Sequence, residues 1–316
     1  GIRQMFKIIE YARMMVGTKA ISTLSTGYLN ALSYAKSRVQ GPDLTKQLDK
    51  ASPRVTIIHH PDVRRSLLTQ KAYAEGMRAL VLYTASIQDS IMLETDEAKK
   101  AEFEKLNDLL LPIVKGYGSE KSWVQLGTES LQTFGGSGFT QDWPLEQYVR
   151  DAKIDTLYEG TTAIQGLDFF FRKIVRDHGV TLASLSNEIK AFCESGGVMA
   201  DEKAKLLKAL GDCEGIISTM IGYAVSSQAS PENSKEIYKV GLNTTRALFA
   251  AGDVIIGWLL LRMAEIASSK PSDDFYIGKI AAAKHFVNVV LPHLTAERKI
   301  AEATDGSIME LPEKAF

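Results

Sequence analysis

The chain has few cysteines, few strand-forming runs and no surplus of charge of either sign, and each shortage removes a class of function. Its 316 residues include two cysteines, Cys193 and Cys213, too few and too far apart for a disulfide framework or a metal knuckle, which suits a reducing compartment such as the cytoplasm. The 37 basic residues balance 38 acidic ones, so no long-range field collects nucleic acid or an anionic membrane surface, and any phosphate must be recognised locally. The β-branched run at residues 54–58 is the one short strand signal and stands too isolated to form a sheet. The most apolar stretch, residues 247–261, contains Asp253 and Gly257 and falls short of the ~20 residues a membrane span needs, so it reads as a buried core helix. His59 and His60 are adjacent, point apart and have no further ligand at metal spacing, so no metal is expected. The opening residues carry charges throughout and lack a signal-peptide pattern. Ile8, Tyr11 and Met15 are already at helical spacing, which predicts a chain that continues upstream of Gly1.

What remains is helix. At 45% hydrophobic and 24% charged, the composition is that of a folded globular chain with room for one large or two medium domains. A first helix over residues 4–38, rich in small residues, is ended by Gly41-Pro42. A polar loop leads to a second helix carrying Val63, Leu67, Tyr73, Met77, Leu80 and Ile87, closed by a polar break at 90–98. A third helix is predicted over 97–115, kinked at Pro112, and a fourth over 119–134, stopped by Gly135-Gly136. These four predict an all-α, up-down four-helix bundle. A shorter helix after Trp143, a turn at 155–160 and a helix over 161–177 follow, and His178-Gly179 marks a boundary. Beyond it, helices near 184–195, 200–226, 234–268 and 273–304 predict a second helical bundle, giving domains 1–178 and 179–316.

Two segments carry chemistry. In Gln132-Thr-Phe-Gly-Gly-Ser-Gly-Phe139, glycines at 135, 136 and 138 let the main chain reach φ > 0 and let phosphates approach backbone N–H groups without meeting a Cβ. In Leu157-Tyr-Glu-Gly-Thr-Thr-Ala-Ile-Gln165, a lone carboxylate, Glu159, precedes a glycine and two hydroxyls. A carboxylate that takes a proton from carbon needs a tight turn to aim it and a site that excludes water, and Gly160 permits the turn. Thr161 or Thr162 would cap the next helix, whose positive end would face Glu159 and a ligand. The competing account of Glu159 is a solvated carboxylate at a helix junction.

These two segments, in this order and at this spacing, resemble the C-terminal half of the acyl-CoA dehydrogenase family over about residues 10–177, and the further helices resemble the long mycobacterial-type members. The resemblance implies an FAD-dependent enzyme that puts an α,β double bond into acyl-CoA thioesters in fatty acid metabolism. It also implies upstream N-terminal and β domains absent from this chain, a homo-oligomer, and an electron-transfer flavoprotein as electron acceptor.

By the same resemblance Glu159 is the catalytic base, and its backbone N–H holds the thioester oxygen together with a flavin hydroxyl. Glu10 is the second candidate for the base, because some family members carry it on the first helix. Glu10 and Arg13 stand where the family has Asp-x-x-Arg and, with Tyr158 and Gly160, would line the substrate channel; a surface ion pair between Glu10 and Arg13 is the competing account. Arg38 stands where the family has an arginine on the flavin pyrophosphate, its planar fork suiting phosphate oxygens, although Gly41 replaces the expected aromatic. Gln132, Thr133, Phe134, Gly135 and Gly136 match the run that cradles the adenine side of the flavin across a subunit interface, and Thr161, Thr162 and Ala163 match the flavin-contacting run after the base. Two other readings stay open: an acyl-CoA oxidase that uses oxygen, and a non-catalytic helical partner that contributes part of a flavin site. Residues 179–316 show no chemistry of their own.

Overall fold

A computed structural model covers residues 1–316 and describes every side chain except those of Arg3, Phe6 and Lys7. The first helix, α1 (Ile2–Ser37), and the second, α2 (Pro61–Leu93), pack along each other. Between them residues 39–56 form a small antiparallel hairpin, β1 (Val39–Pro42) with β2 (Arg54–Thr56). The isolated strand signal therefore does find a partner. The Ile57 N–H donates to the Arg38 carbonyl at 2.8 Å, and one ring nitrogen of His60 lies 2.6 Å from the Gln40 carbonyl, so His60 braces this hairpin.

The third and fourth expected helices are one. Helix α3 runs unbroken over residues 97–134, passing through Pro112 in the helical region and through two widened π-turns, Ile113–Tyr117 and Leu126–Leu131. Proline removes one helical hydrogen bond, and the π-turn directly after it absorbs the mismatch. Every residue from 109 to 119 is buried, so packing on all sides holds a segment that local propensity would break. The fourth helix of the first bundle is instead α5, over residues 162–175, reached through α4 (Leu145–Lys153) and the tight turn that carries Glu159.

After a left-handed reversal at His178 and Gly179 come α6 (Val180–Glu194), α7 (Ala200–Ala229) and α8 (Ile237–Ala267), close to expectation. The last predicted helix splits at Leu291-Pro292 into α9, over residues 274–290, and α10 (His293–Glu302), where proline does end the helix. Helix α8 belongs to an apolar stretch, Pro231–Ala267, that is long enough to cross a membrane, contrary to the estimate from residues 247–261; 83% of its most apolar window is buried inside the protein, as in a core helix. It packs against α2, α5 and α7, so a single apolar core joins Ile21 and Leu24 at one end to Leu294 and Ala301 at the other. At its centre the Tyr117 hydroxyl of α3 donates to buried Asp253 of α8 at 2.6 Å.

Candidate functional site

The turn after α4 is built around a buried carboxylate. Asp155 is fully buried and accepts from Lys19 Nζ of α1 at 2.8 and 2.9 Å and from the Tyr158 hydroxyl at 3.1 Å. Burial, with the Asp155 charge adding, pushes the Tyr158 hydroxyl above its ordinary value. The chain then takes two successive left-handed residues, Glu159 at φ +56° and Gly160 at φ +92°. For glutamate that conformation is strained and has to be held by its surroundings.

The hold comes from two side chains. Gln165 Nε2 donates to the Glu159 carbonyl at 2.9 Å and to the Gly160 carbonyl at 3.3 Å, while Lys115 Nζ donates to the Gly160 carbonyl at 2.5 Å. A Cβ on Gly160 would come within 2.8 Å of Gln165 Nε2, so the glycine serves both the turn and the clamp. Lys115 is fully buried; burial, and after it the charge of Arg13, lower its ammonium to about 8, against the opposing fields of Asp155, Glu159 and Glu120. Thr161 occupies the N-cap of α5 without a side-chain cap bond, and Thr162 donates to Glu120 at 2.7 Å, so neither hydroxyl caps as expected. Ala163 is exposed. The Glu159 side chain is exposed too, flanked by the exposed apolar residues Ile154, Leu157, Ile164 and Leu167; the described residues do not build around it the water-excluding wall that a carbon base requires.

Arg13 reaches across to α5 rather than along its own helix, donating to Asp168 at 2.6 Å, with Arg172 on the other Asp168 oxygen at 3.3 Å. This is a largely buried pair, with 13% and 5% of the two side chains exposed, and Arg13 Nε stays buried without a partner. Arg13, Lys115, Asp155 and Glu159 thus form one electrostatic neighbourhood. Glu10 is half-buried and lines a different cleft of about 580 Å³, with Lys105, Asp108, Lys173 and Arg176 and with no residue of the Glu159 turn.

The second expected site lies at the far end of the bundle. Phe134 is buried and stacks on Tyr34 of α1 at 4.2 Å, beside Trp143 at 5.1 Å, which brings the end of α3 against the end of α1, where exposed Arg38 caps the helix. The Thr133 hydroxyl turns inward, donating to the Glu129 carbonyl at 2.7 Å, and Gln132 is exposed. Of the three glycines expected at φ > 0, only Gly135 is there, at φ +59° and ψ −146°, a region open essentially to glycine alone. Gly138 is needed for close packing, since its Cβ would meet the Leu131 carbonyl at 2.8 Å. Around Gly135 and Gly136 a Cβ would meet nothing within 4 Å, so this backbone faces open space. The two sites are anchored on α1 at Lys19 and Tyr34, about 22 Å apart along a helix rising ~1.5 Å per residue.

Sequence reasoning missed Lys115, Gln165, Asp155 and Asp168. Lys115 has a legible signal, a lysine inside an otherwise apolar helical run; the others have none without the fold. It also assigned nothing to the second half, where Asp253 floors a cleft of about 540 Å³ between the two halves, with Lys121 over the rings of Tyr73, Tyr117 and Phe249 at 5.2–5.7 Å.

Residues 1–169 match the family model described as acyl-CoA dehydrogenase, C-terminal domain, and residues 185–312 the one described as acetyl-CoA dehydrogenase C-terminal like. Over its whole length the chain is 58% identical to a broad-specificity linear acyl-CoA dehydrogenase, FadE5, of Mycobacterium tuberculosis, covering 53% of that protein. Among solved structures, an acyl-CoA dehydrogenase complexed with FAD from Bacillus anthracis superposes at a TM-score of 0.70 with 18% identity, over 98% of this chain and 52% of that one. Acyl-CoA oxidase 1 from Yarrowia lipolytica does so at 0.71 with 14% identity, over 96% of this chain and 46% of that one; both show the fold alone. The chain spans about half the length of the curated relatives it matches.

Proposed function

The chain belongs to the acyl-CoA dehydrogenase family, whose C-terminal domain it carries, and on that premise we propose that it forms the carboxyl-terminal half of an FAD-dependent enzyme that dehydrogenates acyl-CoA thioesters between the α and β carbons. The observation that carries the reading is the Glu159–Gly160 turn: two left-handed residues, both carbonyls tied down by buried side chains, and a carboxylate left free at the surface. A carboxylate aimed by a rigid turn and later enclosed suits abstraction of a weakly acidic α-proton.

In this reading Glu159 takes the α-proton, and its backbone N–H steadies the thioester oxygen. Arg13, Tyr158 and Gly160 border the acyl-CoA, and Glu10 borders the cleft beside Arg172 rather than serving as base. Bound FAD would accept the hydride from the β-carbon. The bare backbone at Gly135 and Gly136 fits a cofactor's adenine end, with Gln132 and Arg38 exposed beside it. Thr133 and Phe134 would act through the main chain, since both side chains are engaged inside the protein. Thr161, Thr162 and Ala163 would meet the cofactor near the base. The separation of about 22 Å between the two sites supports a homo-oligomer in which each copy's glycine turn serves the other's base.

The upstream half of the polypeptide would supply the missing wall. Exposed Ile8, Tyr11 and Met15 on α1, together with the apolar residues around Glu159, support its docking there. Electrons would leave to an electron-transfer flavoprotein, in the cytoplasm. An oxidase that passes them to oxygen is the second reading, since the fold it shares with the dehydrogenases does not separate the two. The test is flavin absorbance and acyl-CoA turnover of the purified chain with and without its upstream half. Flavin and turnover only with that half support the dehydrogenase, hydrogen peroxide as product moves the reading to the oxidase, and a complete assembly without flavin overturns both.

A further inference from the structure

We propose that Lys115 is a positioning residue for Glu159: by clamping the Gly160 carbonyl from inside the bundle, its ammonium fixes the two left-handed residues that aim the carboxylate. The inference rests on the reading of Glu159 as the base.

Lysine is almost never fully buried unless paired, yet Lys115 is buried to 0% exposure and its hydrogen bond goes to a main-chain carbonyl at 2.5 Å, not to a carboxylate. It stands in the π-turn Ile113–Tyr117 that follows Pro112. Widening that turn by one residue changes the direction of the side chains that follow, so the bulge selects which of them reaches the Glu159 turn. At Gly116 the missing side chain lets Gln165 of α5 come close, since a Cβ there would lie 2.7 Å from the Gln165 Cβ. The two donors that hold the turn, Lys115 and Gln165, are therefore set side by side by one irregularity of α3. A strained residue persists only where its surroundings over-determine it, and these two donors converge on the Gly160 carbonyl.

The clamp also carries charge. Facing Lys115 are Arg13 from α1, Glu120 from α3, and Asp155 and Glu159 from the turn; α8 approaches at Gly116 with apolar Leu248.

The experiment uses the chain together with its upstream half. Lys115→Met keeps length and removes donor and charge; Lys115→Gln keeps a donor and removes charge. With Met, kcat is expected to fall about 10- to 100-fold while KM stays within about threefold, with flavin retained, because a misaimed base loses rate and not binding. Amide exchange over residues 157–161 is expected to quicken. Lys115→Gln is expected to recover part of the rate, because it keeps a donor for the Gly160 carbonyl. Should Met fail to fold, Gln carries the test through amide exchange and the split between kcat and KM. Wild-type kcat and wild-type exchange in both variants, with Glu159→Gln inactive, overturn the clamp and leave the base reading standing. Normal turnover by Glu159→Gln overturns the base reading and this inference with it.

Discussion

Of the turns with glycine at positive φ, two carry the candidate chemistry, and they are finished differently. The turn at Glu159–Gly160 is held from within: Lys115, Gln165 and the Asp155 cluster fix its main chain, and only the carboxylate is left free. The turn at Gly135–Gly136 is held at its base, where Phe134 stacks on Tyr34, while its glycines face nothing. A side chain that must be aimed needs a scaffold in its own chain. A backbone that must receive a ligand needs emptiness, and what fills it comes from outside.

That contrast can be broken in order of effect. Glu159→Gln in the complete polypeptide is expected to cut kcat by roughly 10³-fold while flavin stays bound, read by acyl-CoA turnover and visible absorbance; turnover near wild type would remove the base from this turn. Gly136→Val is expected to strip flavin from the assembled enzyme yet change the stability of the chain by less than about 0.5 kcal/mol, since its Cβ meets no protein atom within 4 Å. Full flavin occupancy sinks the idea of a cradle there. Gly160→Ala is expected to do the reverse and destabilise the fold by about 1–3 kcal/mol, because φ is +92° and the new Cβ presses on Gln165; thermal melting checks it.

The smallest effect lies in the pH dependence of stability. Lys115 titrates at about 8 in the folded chain against an ordinary 10.5, so between those values the unfolded chain binds the extra proton and stability rises with pH. The cost of burying the charge is present in full below about 8 and is gone above 10.5. The melting temperature of Lys115→Met relative to the wild type is therefore expected to be higher at pH 7 than at pH 10, whatever the loss of the clamp costs at both. A difference that is constant across that range would remove the buried charge from the account.

Much of the fold was legible because helices announce themselves by spacing. The apolar positions of α2, from Leu67 to Ile87, and the capping and breaking residues between the later helices gave boundaries within a few residues. Three features were not legible. Pro112 followed by Gly116 and Gly118 looks like a break, yet a fully buried environment carries α3 straight through it, whereas Pro292 does end its helix. The strand at Arg54–Thr56 found its partner in a Val-Gln-Gly-Pro segment with no strand signal. Arg13 paired with Asp168, 155 residues away, a contact that neither the expected channel role nor the competing ion pair with Glu10 included.

The sequence by itself determined the helical class, the family, and the two short segments in which the candidate chemistry lies, because these depend on local periodicity and on residue types that only special turns require. Tertiary structure decided which side chains hold those turns: Lys115, Gln165, Asp155 and Asp168 acquire their roles from contacts between helices remote in the chain. A hydrogen bond is a matter of a few tenths of an ångström, and only the packed core, with its fixed helix crossings, sets distances that finely.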